Sequence, residues 1–302
     1  MTYGSARHTD DVAAYLTRVR AGRAPEPRLL TEFQRRYALI GLSPLIAITQ
    51  AQAACVQTVL GPGFRVVAGM RFSEPGIAQA VERLVAAGAQ RILGVVLSPQ
   101  YSPILMTDYQ RALEAAAANV PSRTVRAWHR EPAFVDVLAS RIRRALASYP
   151  WSLRQKLPVL LTAHSLPRRV VDREGKYVEE LAHTAASVAA AADLAPERWR
   201  FCFQSAGHTP EEWLKPDMLD LLPELAAAGH RHVLVAPVQF LADHLETLYD
   251  IDIAARERAK EVGFESFSRI AAPNASPDFA VALAGVVQRE LAAWDARLPA
   301  PV

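Results

Sequence analysis

Short apolar runs alternate with amphipathic helical patterns along most of this 302-residue chain, and this alternation constrains the fold more than any other feature. Strands are predicted over residues 64–69, 91–97, 124–128, 158–162, 199–203, 232–237 and 264–269. Helices are predicted over residues 75–87, 104–118, 132–148, 177–193, 216–228, 242–260 and 277–294. Strands that alternate with helices form parallel sheets joined by right-handed crossovers. The sequence therefore predicts an α/β protein.

A polar segment bounded by Pro150 and Pro158 is the best candidate for a domain boundary. A chain of this length suits one large or two medium domains. We predict an N-terminal domain over residues 1–152 and a C-terminal domain over residues 153–276, each with several strand–helix units. The last helix, within 277–302, has an apolar face and is expected to pack back on the first domain.

Composition and charge argue against several classes of protein. The net charge of +3 makes no case for nucleic-acid binding, and no glycine-rich phosphate loop supports a nucleotide site. Cys55 and Cys202 are too isolated for a zinc or iron–sulfur site, so they are read as reduced thiols. No hydrophobic leader and no run of ~18 apolar residues is present, so we expect a cytoplasmic protein without a transmembrane segment.

Two predicted strands end in polar residues at the edge of the sheet where ligands bind in open α/β folds. His164 follows the apolar run 159–162, and Glu246 follows the run 232–237. A single histidine at a strand end is more often structural than catalytic. An imidazole and a carboxylate facing one cleft, however, could bind a metal ion and remove protons.

Three carboxylates fall on one stripe if residues 242–260 form an α-helix. Asp243, Glu246 and Asp250 lie at i, i+3 and i+7, within about 60° of one another at ~100° per residue. Like charges this close repel unless they are solvated or bound to a cation. The stripe is therefore either a wet surface or a place where a metal ion is handled.

Arginines in the N-terminal half could grip carboxylates, because the guanidinium fork matches carboxylate geometry. Arg20 lies among arginines at 18–23, and Arg71 follows a predicted strand. Ser43 sits in a turn before a helix, where it could contact an anion. The plain alternative is a solvated basic face.

The chain resembles ferrochelatases over almost its whole length, and most closely the type of Gram-positive bacteria that acts on coproporphyrin. The resemblance rests on short runs that occur in the family's order: 1–4 (Met-Thr-Tyr-Gly), 15–20 (Tyr-Leu-Thr-Arg-Val-Arg), 43–45 (Ser-Pro-Leu), 163–167 (Ala-His-Ser-Leu-Pro), 204–205 (Gln-Ser), 213–217 (Trp-Leu-Lys-Pro-Asp) and 243–250 (Asp-His-Leu-Glu-Thr-Leu-Tyr-Asp). It implies two Rossmann-like, chelatase-type domains with a cleft between them.

The resemblance also implies roles for individual residues. His164 and Glu246 would be the catalytic pair, and together with Asp250 they would hold Fe²⁺ transiently. The porphyrin would be bound by residues of the N-terminal half: Tyr3, Arg20, Ser43, Arg71 and His129. Iron would be a substrate, so no permanent cofactor and no iron–sulfur cluster is expected.

The implied activity is insertion of ferrous iron into coproporphyrin III in haem biosynthesis. The resemblance further implies a monomer that meets neighbouring haem-pathway enzymes transiently. Two alternatives stay open at this point. The first is a protoporphyrin IX ferrochelatase or another tetrapyrrole chelatase, because imidazole and carboxylate also accept other divalent metals. The second is a porphyrin or haem carrier without catalytic activity.

Overall fold

A computed structural model describes residues 1–172, 175–207 and 210–296. Its internal contacts divide the chain into two units. Unit 1 comprises Met1–Phe134 and Asn274–Val302, and unit 2 comprises Val135–Pro273. The polar segment between Pro150 and Pro158 lies in unit 2, and the C-terminal helix belongs to unit 1.

Helices and parallel strands alternate along most of the chain, as the sequence predicts. The elements are α1 (Val12–Val19), α2 (Pro27–Ile40), α3 (Leu45–Leu60), α4 (Ile77–Ala86), β1 (Ile92–Gly94), α5 (Pro103–Ala117), β2 (Ser122–Thr124), α6 (Pro132–Ala147), α7 (Trp151–Arg154), β3 (Val159–His164), α8 (Arg168–Val171), α9 (Gly175–Ala191), β4 (Trp199–Gln204), α10 (Met218–Ala227), β5 (His232–Pro237), a π-helix (Glu246–Ala255), α11 (Arg256–Glu261), β6 (Ser266–Arg269) and α12 (Pro277–Asp295).

The core of unit 1 lies between α4, α5 and a short parallel pair of strands. β1 pairs with β2 from Ile92↔Ser122 to Gly94↔Thr124. Apolar side chains of α4 and α5 pack on this pair and exclude water from it, which is the main stabilising contribution of such a layer. α12 packs on α3, so the C-terminal helix completes unit 1 from the far end of the sequence.

Two predictions for unit 1 are wrong in detail. Residues 64–69 form no strand ladder in the described structure. A cavity of about 760 Å³ runs along them, so the backbone there has no neighbouring strand on that side. β2 covers 122–124 rather than the predicted 124–128, because only these residues lie opposite β1.

Two helices at the start of the chain, α1 and α2, were not predicted, whereas α3 follows the turn at Ser43 as expected. α2 nevertheless carries two local signals, Pro27 at its first position and Gly41 at its end with φ +73°. Proline is preorganised for the first helical turn, and glycine adopts the left-handed conformation without a steric penalty. Both signals are readable from the sequence.

Unit 2 is built on a four-stranded parallel sheet with the order β4-β3-β5-β6. β3 and β5 occupy its centre, and five of the six residues of each are buried. Such continuously apolar strands are typical of parallel sheets covered on both faces. α10 and α11 cover one face, while α9 contacts β3 and β4.

The order of the strands brings the carboxyl ends of β3, β4 and β5 side by side. His164 ends β3 and pairs in register with Gln204, which ends β4. β5 leads through residues 238–245 into the π-helix. These three adjacent strand ends carry the site described below.

Membrane-spanning potential is low for the helices of the described residues. No single helix is both long and apolar enough to cross a membrane, and the bent pair α2 and α3 meets the length and composition criteria only when counted together.

Candidate functional site

His164 is held from its backbone and from its ring. Its backbone N–H donates to Gln239 Oε1 at 2.8 Å, and Gln239 in turn donates to the hydroxyl of Tyr177. The ring Nδ1 hydrogen-bonds the carbonyl oxygen of Ser165. A carbonyl can only accept, so Nδ1 carries a proton, and Nε2 is the ring atom that can exchange a proton or bind a metal once it is deprotonated.

Glu246 faces that Nε2 atom. Its Oε2 lies 3.5 Å from His164 Nε2 and 3.8 Å from His244 Nε2. The side chains of His164 and Glu246 are 30% and 32% exposed, so the pair is partly sheltered from water yet open to a ligand. The two residues that the sequence singles out therefore meet in the structure.

Each member of this pair strongly changes the pKa of the other. Burial alone would lower the pKa of His164, but the adjacent Glu246 carboxylate outweighs burial and raises it to about 9. Burial alone would raise the pKa of Glu246, but His164 and His244 hold it well below its usual range. At neutral pH the pair is therefore an imidazolium beside a carboxylate, and it titrates as one coupled unit.

The free energy of unfolding should depend on pH because of this coupling. The pKa of His164 is raised on folding, so its proton contributes stability that is fully present below pH 6.5 and is lost as the pH rises through about 9. The lowered pKa of Glu246 contributes stability that is present above pH 4.5 and is lost in acid. Between pH 6.5 and 9 the thermal unfolding midpoint of the wild type should fall on the order of a few degrees more than that of Glu246→Gln. Parallel slopes for the two proteins would contradict the coupling.

Asp250 follows Glu246 along the π-helix and is oriented by the end of β4. The Ser205 hydroxyl donates to Asp250 Oδ2 at 2.5 Å, a length typical of a charge-assisted bond to a carboxylate. The neighbouring Gln204 amide donates to the Glu246 carbonyl at 3.3 Å and accepts from Thr162 at 2.6 Å. Ser205 has φ +57°, an uncommon conformation for a residue other than glycine. The end of β4 and the residue after it thus contact two of the three acidic residues of the helix, Glu246 and Asp250.

The predicted stripe of three carboxylates is wrong because the segment is not an α-helix from residue 242. The helix begins at Glu246 and is a π-helix, with i→i+5 hydrogen bonds. Asp243 lies before it, and its Oδ1 forms an ion pair with Arg269 Nη1 at 3.0 Å. π-Helical turns are rare and occur frequently at functional sites.

The pair is not a closed metal site. Within the described residues, no group of three or more His, Cys, Asp or Glu side chains is arranged to hold a metal ion. His164 Nε2 and the oxygens of Glu246 and Asp250 supply nitrogen and oxygen donors suited to a borderline divalent ion such as Fe²⁺.

In unit 1, Tyr3 and Arg71 belong to one exposed aromatic and basic cluster. The rings of Tyr3 and Phe72 meet edge to face with centroids 4.6 Å apart, and Tyr3 is 42% exposed. The Arg71 guanidinium lies 4.5 Å from the Phe72 ring centre and forms an ion pair with Asp108. Such a cluster offers a flat apolar surface beside a cation.

The other three predicted residues of unit 1 have different environments. Arg20 lies at the end of α1, and its buried Nε makes no hydrogen bond in the described structure. Ser43 Oγ accepts a 3.5 Å hydrogen bond from the Leu45 N–H at the start of α3. His129 is only 4% exposed, and its backbone N–H donates to Pro99. Arg20 and Ser43 are partly accessible, whereas His129 lies inside the unit.

Sequence reasoning did not identify Gln239 or Arg269 as parts of the site. Gln239 lies two residues after the apolar strand β5, which is the signal that singles out His164. Arg269 ends β6, whose sequence Ser-Phe-Ser-Arg is not an apolar run and gives no such signal. A polar residue at the end of a buried parallel strand is thus informative even outside a recognisable motif.

Comparison with known sequences gives one consistent result. The family model described as Ferrochelatase matches residues 1–291. The ferrochelatase of Herpetosiphon aurantiacus is 38% identical over 95% of this chain and 96% of its own length. The coproporphyrin III ferrochelatase of Geobacillus kaustophilus is 36% identical over 97% and 95%, and that of Bacillus subtilis 33% over 96% and 96%.

Solved structures confirm the fold. CbiX, titled the terminal enzyme for biosynthesis of siroheme in denitrifying bacteria, has a TM-score of 0.55 at 18% identity over 82% of this chain and 92% of its own. SirB from Bacillus subtilis has a TM-score of 0.54 at 14% identity, with the same coverage. Both likenesses support the α/β fold that the sequence predicts. The chain belongs to the ferrochelatase family, enzymes that insert ferrous iron into a porphyrin during haem synthesis.

Proposed function

We propose that this enzyme inserts Fe²⁺ into coproporphyrin III, and that His164 and Glu246 carry the reaction. The observation that carries the proposal is the 3.5 Å approach of His164 Nε2 and Glu246 Oε2 at the carboxyl edge of the unit 2 sheet. A base and an oxygen ligand within reach of one atom are what porphyrin metallation needs. The relatives named coproporphyrin III ferrochelatases support the choice of substrate.

Metallation releases two protons, because both pyrrole N–H bonds of the free-base ring must break as the iron–nitrogen bonds form. In its neutral form, His164 Nε2 can take one of these protons. The resulting imidazolium is the form that Glu246 stabilises. Asp250, whose Oδ2 accepts a hydrogen bond from Ser205, would take the second proton, because the pKa of Glu246 is held well below its usual range. General-base help of this kind is typically worth about 10²–10⁴-fold.

Glu246 and Asp250 also offer oxygen atoms to the incoming ion. Iron binding at His164 requires the neutral imidazole, so the ion must displace the proton from Nε2. Metal affinity should therefore rise with pH through the region where the pair loses its proton. In this proposal iron is a substrate, and no resident metal or other cofactor takes part.

The porphyrin would be bound by unit 1, through Tyr3, Arg20, Ser43 and Arg71. The contact expected for His129 is not proposed, because its side chain is buried. Support comes from the exposed Tyr3–Phe72 surface beside Arg71, which suits the flat ring, and from the unpaired buried Nε of Arg20, which suits a propionate. A ring bound in a bent form would expose its nitrogen lone pairs, with the strain drawn from binding energy elsewhere. The monomeric state, the cytoplasmic location and transient contacts with haem-pathway enzymes stay predictions.

Competition between substrates tests the proposal. Anaerobic enzyme with limiting Fe²⁺ is given coproporphyrin III and protoporphyrin IX separately, and the metalloporphyrin absorbance bands are followed. We expect kcat/KM for coproporphyrin III to be at least about tenfold higher, the effect of one added charge-assisted contact. Faster metallation of protoporphyrin IX would reassign the substrate and leave the reaction unchanged.

A further inference from the structure

One guanidinium, that of Arg269, bridges two aspartates that flank the catalytic segment. Its Nε and Nη2 contact the two carboxylate oxygens of Asp252 at 2.9 Å and 2.6 Å, and its Nη1 lies 3.0 Å from Asp243 Oδ1. The contact with Asp252 is bidentate, the strongest geometry that a guanidinium and a carboxylate can form. Asp243 precedes Glu246 in the chain, and Asp252 lies two residues after Asp250.

The bridge is sheltered and fixed to the sheet. The Arg269 side chain is 10% exposed, and those of Asp243 and Asp252 are 21% and 26% exposed. Arg269 ends β6 and pairs in register with Val235 of β5, the strand that leads into the catalytic segment. Because its backbone is held by the ladder, the guanidinium can fix the position of the two aspartates.

We propose that Arg269 is a positioning residue that sorts the carboxylates of residues 243–252 into two pairs. Asp243 and Asp252 are neutralised by the guanidinium and serve as anchors. Glu246 and Asp250, which contact His164 and Ser205 instead, stay available for iron and protons. The inference rests on the proposed function, since it explains how one acidic segment offers iron a single productive position.

Loss of the guanidinium would release two carboxylates that now share that one group as their counterion. Two such carboxylates without a counterion repel each other and the rest of the acidic segment, and a divalent cation relieves that repulsion. Iron would then be bound where no porphyrin nitrogen can receive it. The charge of the trio formed by the two aspartates and Arg269 is −1, and it becomes −2 in Arg269→Gln.

The test uses three variants of the full chain: Arg269→Gln, Arg269→Lys, and the double variant Arg269→Gln with Asp252→Asn, which restores the trio to −1. We expect kcat/KM for Fe²⁺ to fall about tenfold in Arg269→Gln, with the KM for porphyrin changed less than about twofold. Arg269→Lys and the double variant should both stay within about threefold of the wild type. A residue that acts only by packing would not be rescued by the charge-balanced variant.

Titration calorimetry with Co²⁺ alone gives a second readout that does not depend on turnover. Arg269→Gln should bind one Co²⁺ more per chain than the wild type, and the double variant should not. An unchanged Co²⁺ stoichiometry in Arg269→Gln would overturn the inference, and so would a double variant that keeps the wild-type unfolding temperature yet stays tenfold impaired. If Arg269→Gln does not fold, Arg269→Lys and the double variant decide by the same criteria. A wild type that metallates no porphyrin would reject the proposed function alone, because the Co²⁺ comparison stands apart from turnover.

Discussion

Replacing His164 with alanine is expected to lower kcat for iron insertion by at least about 10²-fold, and up to about 10⁴-fold. The imidazole is the group whose protonated form the site stabilises, through Glu246 at 3.5 Å and the Ser165 carbonyl at Nδ1. Without it, the first pyrrole proton has no acceptor of suitable pKa and the incoming ion loses its nitrogen ligand. Initial rates of metalloporphyrin formation under anaerobic conditions measure the effect.

A histidine outside the site provides the matched control. His183 lies on α9, is exposed, and is within hydrogen-bonding distance of Ser187 at 3.4 Å. His183→Ala should retain the wild-type rate within about twofold, since an exposed substitution away from the site perturbs little. A His164→Ala enzyme that keeps more than about a third of wild-type turnover would remove His164 from the mechanism.

Glu246→Gln is expected to have the second large effect, a loss of about 10²-fold or more in kcat. The amide keeps the size of the side chain but removes the negative charge. Burial of His164 is then opposed only by the Ser165 carbonyl and Asp250, so the pKa of His164 should drop well below about 9. An NMR titration of the His164 ring measures this shift directly.

Glu257→Gln on α11 is the control for Glu246→Gln, because Glu257 is exposed on the helix that directly follows the π-helix. It should leave both kcat and the titration of His164 unchanged. If Glu246→Gln left the pKa of His164 near 9, the imidazolium would have another partner, and the pairing described here would be wrong.

The sheet of unit 2 was predictable from sequence because its central strands, β3 and β5, are buried along almost their whole length. Apolar runs ending in polar residues marked β3, β4 and β5 to within about two residues. In unit 1 the same reasoning failed for residues 64–69, because an apolar run becomes a strand only where a neighbouring backbone completes the ladder. Whether an apolar segment pairs with another strand cannot be read from the sequence of that segment alone.

The proximity of His164 and Glu246 was predictable for the same reason, since one ends and the other follows a buried strand, and the two strands are neighbours. The ion pair of Asp243 with Arg269 was not predictable. Helical periodicity placed it with Glu246 and Asp250, but the π-helix begins after it, and a residue 26 positions later in the chain, Arg269, neutralises it. Neither the helix type nor that long-range ion pair leaves a signal in local spacing.

The measurement that tests the central claim most directly is a single-turnover experiment with coproporphyrin III bound to excess enzyme and Fe²⁺ added anaerobically. The account predicts rapid appearance of the iron–coproporphyrin absorbance bands with wild-type enzyme, and a rate at least about 10²-fold slower with His164→Ala although the porphyrin still binds. Tight porphyrin binding by the wild type without any metallation of coproporphyrin III or protoporphyrin IX would contradict it and would favour a porphyrin carrier.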